Sequence, residues 1–319
     1  MKVLVTGGTG AIGSWVPREL VDAGFQPVVY DAMPDTLLLK DILEKIEIVK
    51  GDIADFPQLI GILKKMSIDA IIHCASLIGA NTTVNPLYTL KVNVEGTVNI
   101  FEAARILDIK RVVFASALAA VGPVEPEYGY PQFKPLEEDH PCNPQELYGI
   151  TKEAAERYGL FYAKSYGLDL IALRFTQLYG PGRMARHGSF NLIDIMIDAA
   201  YNDKSYELPS GADFETEWTY TRDDARALVS ALIAQGVKHR VFNIGSGEFS
   251  SVQKIIDTVK TKFPMAKIRV GSGRNIPLPL PSLRFNTTRA SEELHFSPKY
   301  DLKKGIDEYV EILASIYPK

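Results

Sequence analysis

A tyrosine and a lysine separated by three residues are the first side chains in this sequence whose types and spacing suggest chemistry. They are Tyr148 and Lys152 in LYGITKEAA, and on a helix such a pair lies on one face. A phenol has a pKa of about 10 and is a poor base at neutral pH unless a cation stabilises the phenolate. With the Lys152 ammonium as that cation, the pair can move a proton to or from a substrate oxygen. The same spacing also occurs as a plain surface contact, so other features must support the catalytic interpretation.

A glycine-rich segment near the amino terminus provides that support. KVLVTGGTGAIGSW places Gly7, Gly10 and Gly13 between a strand-like run and a helix-like run. Glycine permits a tight turn and a close approach of the backbone to a pyrophosphate, and the helix start supplies N–H groups. Asp31 ends the next strand-like run, 18 residues after Gly13, where its carboxylate can accept a hydrogen bond from an adenosine ribose. Asp31 would repel a 2′-phosphate, which favours NAD over NADP; the alternative is a structural turn and a solvated strand end.

The elements that must position these residues follow from an alternation along the chain. Apolar runs such as KVLVTG, QPVVYD, IDAIIHCAS and KRVVFASA alternate with helical patterns, which predicts an α/β fold with a doubly wound parallel sheet. The pattern loosens in LPSGADFETEW and in the proline-rich IPLPLPS, which suits a smaller C-terminal lobe. We expect an NAD-binding Rossmann domain in 1–173 and 215–247, and a substrate-binding lobe in 174–214 and 248–319.

Composition excludes several classes of protein. The 319 residues carry a net charge of -4 and are 46% hydrophobic, which fits a folded protein and argues against a nucleic-acid partner. Cys74 and Cys142 are the only cysteines, too few for a disulfide framework or a four-cysteine zinc site, and we expect no metal. No apolar run is long enough to span a membrane, and the strand near Met1 leaves no room for a signal peptide. We expect a cytoplasmic protein.

In combination, these segments resemble the extended short-chain dehydrogenase/reductase family of the NAD-dependent epimerase/dehydratase type. TGGTGAIG resembles the family's TGxxGxxG loop, YGITK its catalytic motif, and LRFTQLYGPG its LRxxNVYGPG. The resemblance covers nearly the whole chain. It implies a Rossmann fold, NAD as cofactor, a small-molecule substrate, and a homodimer formed by the helix that bears Tyr148 and the helix before it.

The resemblance also implies roles for individual residues. Tyr148 is the acid or base at the substrate oxygen, and Lys152 both binds the nicotinamide ribose and lowers the pKa of Tyr148. The expected cofactor contacts, besides Lys152, are the phosphate loop, the ends of the strands that follow it, and a segment beside the adenine: Gly7, Gly10, Ala11, Ile12, Gly13, Asp31, Asp52, Ile53 and Ala75.

The segment FASALAAVG departs from the family. Members usually carry Ser or Thr five residues before the final glycine, where its hydroxyl orients the substrate oxygen, but this chain has Ala117 there. In one interpretation a local bulge brings the Ser116 hydroxyl into the site as a third catalytic group. In the other, Ser116 is structural and a different donor acts. Family dehydratases place an Asp-Glu pair next, and Leu118 and Ala119 here exclude dehydration by that route.

A second departure concerns the substrate. Nucleotide-sugar enzymes of the family commonly read RDWxYVxD, with the arginine on the diphosphate, whereas this chain reads TEWTYTRD with Thr216 and Glu217. A carboxylate there would repel a diphosphate. The segment GRMARHGSF offers Arg183, Arg186 and His187 as tentative ligands for a substrate carboxylate or phosphate, or else it is a solvated basic loop.

These observations lead to three functional hypotheses. The first is an NAD-dependent oxidoreductase that transfers hydride to NAD from a carbinol carbon of a sugar-like, sugar-acid or small hydroxy-acid substrate. The alternative is a nucleotide-sugar 4-epimerase of the UDP-glucose type, which begins with the same half-reaction. The third is a catalytically inactive NAD-binding regulator.

Overall fold

The computed structural model describes residues 1–182, 192–278 and 280–318. In chain order its strands are β1 (Lys2–Thr6), β2 (Gln26–Asp31), β3 (Glu47–Lys50), β4 (Ala70–His73), β5 (Arg111–Ala117), β6 (Leu170–Phe175), β7 (Gln177–Tyr179), β8 (Tyr206–Leu208), β9 (Glu215–Tyr220), β10 (Val241–Ile244), β11 (Phe249–Ser251) and β12 (Ile268–Val270).

The described α-helices are α1 (Val16–Asp22), α2 (Phe56–Met66), α3 (Ala80–Val84), α4 (Pro86–Leu90), α5 (Thr97–Ile106), α6 (Leu147–Tyr166), α7 (Leu192–Tyr201), α8 (Thr221–Ile233), α9 (Val252–Lys262), α10 (Thr288–Leu294) and α11 (Leu302–Ile316). A π-helical segment, Lys91–Gly96, joins α4 to α5, and 3₁₀ helices lie at Leu37–Lys45, Leu118–Ala120 and Pro126–Tyr128.

Seven strands form one parallel sheet in the order β10-β6-β5-β4-β1-β2-β3. Side chains alternate along its buried strands: Val3 and Val5 of β1 pack on one face, against α1 and α8, and Leu4 packs on the other, against α2 and α5. Both faces are therefore covered by helices, which is why the strands are almost wholly apolar. The predicted doubly wound Rossmann fold is confirmed.

A smaller lobe follows the sheet. Its strands form a three-stranded sheet, β11-β9-β7, and a two-stranded sheet, β12-β8, and its apolar core includes Met196, Trp218 and Ile306. β10 returns to the main sheet beside β6. β9 lies in the segment 215–247 that we assigned to the Rossmann domain, yet it pairs with lobe strands, and the domain boundaries stay a prediction.

Over the described ranges, no helix is both long enough and apolar enough to cross a membrane.

Candidate active site

A cavity of about 1720 Å³ runs along the carboxyl edge of the main sheet. This volume exceeds that of an ordinary single-ligand pocket and suits a dinucleotide together with a substrate. The cavity brings together every predicted catalytic and cofactor residue: Gly7, Gly10, Ala11, Ile12, Gly13, Asp31, Asp52, Ile53, Ala75, Ser116, Tyr148 and Lys152. The predicted substrate residues Arg183, Arg186 and His187 lie outside the described residues.

The glycine loop requires glycine at Gly7 and at Gly13. Gly7 has a φ of +62°, and a Cβ there would lie 2.7 Å from the Ala75 backbone. A Cβ on Gly13 would lie 2.1 Å from the carbonyl oxygen of Gly7. The amides of Ala11 and Ile12 make no backbone hydrogen bond to another described residue, and they precede the positive end of α1. The loop therefore fits a pyrophosphate.

Asp31 is held at the edge of this loop by three donors. Its Oδ2 accepts hydrogen bonds from the Thr9 amide at 3.1 Å and the Thr9 hydroxyl at 2.7 Å, and its Oδ1 accepts from the Met33 amide at 3.0 Å. A carboxylate has about four acceptor positions, so one remains for a ribose hydroxyl. Asp52 and the buried Ile53 line the cavity further along. These residues fit the adenosine half of NAD.

The predicted catalytic pair, Tyr148 and Lys152, lies where α6 begins. The Nζ of Lys152 is 5.7 Å from the centre of the Tyr148 ring and donates a hydrogen bond of 2.8 Å to the carbonyl oxygen of Ala115. Burial lowers the pKa of Lys152 from 10.5 to about 8, against the opposing influence of Cys74 and Glu156. The ammonium thus keeps its charge at pH 7, and its bond to β5 fixes it beside the phenol.

Close packing holds the start of α6 in place. A Cβ on Gly149 would lie 2.2 Å from the carbonyl oxygen of Ala119, so glycine lets the helix approach the loop after β5. Asn93 connects α6 to the loop after β4, because its side-chain amide donates to Thr151 Oγ1 at 3.1 Å and its Oδ1 accepts from the Leu77 amide at 2.7 Å. The position of Tyr148 is therefore set by two separate segments.

Ser116 lines the cavity, but its hydroxyl is bonded to a carboxylate of α6. β5 keeps a regular register with β6 through its last residue, pairing Ser116 with Arg174 and Ala117 with Phe175. The Ser116 hydroxyl donates to Glu156, which forms a buried ion pair of 2.6 Å with Arg174. No bulge occurs at this strand end. The geometry favours the structural interpretation of Ser116, because the catalytic interpretation required a bulge at this position.

Thr216 and Glu217 serve the lobe rather than the cavity. The Glu217 carboxylate is buried and accepts hydrogen bonds from the amides of Gly247 at 2.6 Å and Phe285 at 3.1 Å. The Thr216 hydroxyl donates to the carbonyl oxygen of Pro281 at 2.9 Å. Pro281 lines the cavity, and neither Thr216 nor Glu217 belongs to its described lining. Backbone amides bind the Glu217 carboxylate, and the repulsion of a diphosphate by Glu217 stays a prediction.

Some residues that line the cavity were not among the site residues predicted from the sequence. Thr176 and Gln177 follow β6 and face the cavity, as do Leu280 and Pro281 from the proline-rich segment. Thr176 and Gln177 could have been found from their place at the carboxyl end of a parallel strand, where ligands bind in such sheets. Among the residues described, no group of three or more His, Cys, Asp or Glu side chains is arranged to hold a metal ion.

Known proteins resemble this chain over most of its length. The model of the NAD dependent epimerase/dehydratase family matches residues 3–245. A putative UDP-glucose 4-epimerase of Methanocaldococcus jannaschii is 32% identical over 315 residues, 97% of each chain. A UDP-glucose 4-epimerase of Mycolicibacterium smegmatis is 30% identical over 326 residues, 99% of each chain. The solved structure of MoeE5 in complex with UDP-glucose and NAD is 27% identical, with a TM-score of 0.81 and 99% of each chain covered.

Proposed function

This chain belongs to the NAD-dependent epimerase/dehydratase family and is an enzyme that uses NAD, and from that premise we propose that it is a nucleotide-sugar 4-epimerase of the UDP-glucose type. The observation that carries the proposal is a single cavity that joins the glycine loop to Tyr148 and Lys152. The substrate class is supported by the relatives of at least 30% identity, which are described as UDP-glucose 4-epimerases.

Each half of the proposed reaction uses the same proton-transfer pair. The Tyr148 phenolate, which the Lys152 ammonium stabilises, takes the proton from the C4 hydroxyl of the sugar and becomes a neutral phenol. The glycine loop, Asp31 and Lys152 would hold NAD, which would supply the acceptor for the hydride of that carbon and its donor in the return step. Tyr148 then gives its proton back to the same oxygen. Lys152 also lies at the cavity wall where it can hold the nicotinamide ribose.

Inversion at C4 requires the oxidised sugar to present its other face before the return step. The cavity wall that contains Tyr148 also contains apolar residues, among them Leu118, Ala119, Pro123 and Leu280. Apolar contacts are not directional, so they oppose such a turn less than a set of fixed hydrogen bonds would. The wall therefore supports an epimerase.

The comparisons favour this reading over the sugar-acid or hydroxy-acid dehydrogenase that the sequence first suggested. That expectation rested on the missing diphosphate arginine, at whose position Thr216 stands, and on the neighbouring Glu217, whose carboxylate binds backbone amides. The hypothesis of an inactive regulator is set aside because the chain is an enzyme of this family.

We also propose a homodimer. Apolar side chains are exposed along α4 and α6, including Leu87 with 77% of its surface exposed, Phe161 with 53%, and Leu90, Ile150 and Tyr158. Exposed apolar surface of this kind typically marks an interface. Tyr162 does not belong to it, because it packs on Phe101 and donates a hydrogen bond of 3.1 Å to Glu102.

A substrate panel tests the proposed function. The purified protein and NAD are incubated with UDP-glucose, UDP-galactose, free sugars, aldonates and hydroxy acids, and both NADH absorbance and isomer composition are recorded. Interconversion of the two UDP-sugars without net NADH is the expected result. Steady NADH production from one small alcohol, with no isomer exchange, would show that the protein is a dehydrogenase and not an epimerase.

A further inference from the structure

Thr176 occupies a place in the cavity wall that the proposed mechanism does not use. It follows β6, and its amide continues the ladder to β10 by donating to the Ile244 carbonyl oxygen at 3.3 Å. In the neighbouring strand Ala117 pairs with Phe175, the residue just before Thr176. Thr176 therefore lies at the carboxyl edge of the sheet, beside the strand end that carries Ala117, and it lines the same cavity as Tyr148.

Strand alternation places Thr176 on the same face of the sheet as α6. Arg174 extends toward α6, because its guanidinium binds Glu156 of that helix. Side chains two residues apart on a strand share a face, so Thr176 follows Arg174 on the α6 side. This is the side on which Tyr148 begins the helix.

The hydroxyl of Thr176 is buried without a partner. The residue is 6% exposed, and within the described part of the chain its Oγ1 has no hydrogen-bond partner. An unsatisfied buried hydroxyl costs free energy that a valine of similar shape would avoid. Such a group at a cavity wall is explained when a ligand supplies the missing hydrogen bond. The staggered χ1 rotamers of threonine give the hydroxyl alternative directions on the same backbone.

The nearest segments offer the reacting oxygen no other hydroxyl from β5. Ser116 donates to Glu156, and the three residues after it, Ala117, Leu118 and Ala119, have apolar side chains. A second donor beside Tyr148 would stabilise the charge that develops on the oxygen during proton transfer. Thr176 is buried, unpaired and on the correct face to supply it.

We propose that the Thr176 hydroxyl donates a hydrogen bond to the sugar oxygen that exchanges its proton with Tyr148. This inference rests on the proposed function. It makes Thr176 a catalytic residue that touches the substrate, and it assigns to β6 the hydroxyl that β5 lacks at Ala117.

Two matched variants test the proposal. Thr176→Val removes the hydroxyl and keeps the shape, whereas Thr176→Ser keeps the hydroxyl. Both are assayed for kcat and KM in the interconversion of UDP-glucose and UDP-galactose, for NAD affinity by calorimetry, and for unfolding in urea. We expect Thr176→Val to lower kcat by about a hundredfold, and Thr176→Ser to stay within a few fold of the wild type.

Stability separates a catalytic hydroxyl from a structural one. Because the hydroxyl has no protein partner, Thr176→Val should unfold at the same or a higher urea concentration than the wild type, with NAD affinity unchanged. The proposal is overturned if Thr176→Val keeps its kcat, if both variants lose kcat equally, if the loss lies in NAD affinity, or if Thr176→Val fails to fold.

Failure of the proposed function gives a different result. If the wild type does not interconvert the UDP-sugars, the epimerase is wrong, and the same two variants are measured with NAD and the alcohol from the panel that the wild type oxidises. A hundredfold loss of kcat in Thr176→Val alone still supports Thr176 as the donor, and equal rates in both variants refute it.

Discussion

The Nζ of Lys152 lies 5.7 Å from the centre of the Tyr148 ring, held there by a hydrogen bond to the Ala115 carbonyl oxygen on β5. This contact joins α6 to the central sheet, as do the contacts of Glu156 with Ser116 and Arg174. It also gives the phenol a buried cation whose pKa of about 8 leaves it charged at pH 7. In the proposed chemistry Tyr148 carries the proton and Lys152 supplies the charge, so the two roles can be tested by separate substitutions.

Removing the phenol hydroxyl should stop the reaction without emptying the cofactor site. In Tyr148→Phe we expect kcat to fall by roughly a hundredfold to ten-thousandfold, because general acid–base catalysis is lost. NAD affinity, measured by calorimetry, should be unchanged. Tyr158→Phe is the matched control, since Tyr158 is a half-exposed tyrosine on the same helix. Full activity in Tyr148→Phe would disprove its role as the proton carrier.

The buried lysine makes stability depend on pH. The folded-state pKa of about 8 lies below the ordinary 10.5, so between these values the unfolded chain binds more protons and stability rises with pH. Relative to Lys152→Met, the wild-type apoprotein should gain about 3 kcal/mol in free energy of unfolding over this window. Urea unfolding of both proteins at pH 7, 8, 9 and 10 measures the difference, and parallel curves would show that Lys152 is not desolvated.

Ser116→Ala distinguishes the two interpretations of FASALAAVG. A hydrogen bond to a buried carboxylate contributes about 1.5–3 kcal/mol, so the variant should lose that much stability in urea while kcat changes only a few fold. The opposite pattern, a hundredfold drop in kcat with unchanged stability, would restore Ser116 as the catalytic hydroxyl.

The glycine loop should not tolerate a single methyl group. In Gly13→Ala the new Cβ would meet the Gly7 carbonyl oxygen at 2.1 Å, and because that oxygen belongs to the backbone, the loop must move. Overpacking of this kind costs about 1–3 kcal/mol, which predicts NAD affinity weakened by roughly tenfold to a hundredfold. Gly61→Ala is the control, because a Cβ on Gly61 in α2 meets no atom within 4 Å.

Calorimetry measures the NAD affinity of both glycine variants. Gly61→Ala should bind NAD like the wild type and be slightly more stable, since alanine is the better helix former. Equal NAD affinity in Gly13→Ala would mean that the loop does not carry the pyrophosphate.

The fold and the cofactor loop could be predicted because their signals are local. Gly7 to Gly13 and the Tyr148–Lys152 pair depend on spacing within one turn or one helix, and the alternation of strands and helices fixes a doubly wound sheet. Local pattern also suffices for Asp31, which ends the strand next to the loop.

The roles of Ser116 and Glu217 could not be predicted because their partners are distant in sequence. Ser116 binds Glu156, 40 residues away, and Glu217 binds the amides of Gly247 and Phe285, 30 and 68 residues away. Tertiary contacts, not residue type, decide which partners these two side chains bind. Likewise, the lack of a hydrogen-bond partner for the Thr176 hydroxyl among the described residues can be recognised only in the folded structure, where β5, β6 and α6 pack together.

Deuterium at C4 of the substrate shows whether the hydride returns to the carbon that it left. UDP-glucose with deuterium at C4 is incubated with the enzyme and NAD, and the products are followed by NMR. We expect UDP-galactose that retains deuterium at C4, because the deuteride leaves and returns within one closed site. Absence of the galactose isomer, or galactose whose C4 carries solvent hydrogen, would contradict epimerisation by oxidation and return at Tyr148.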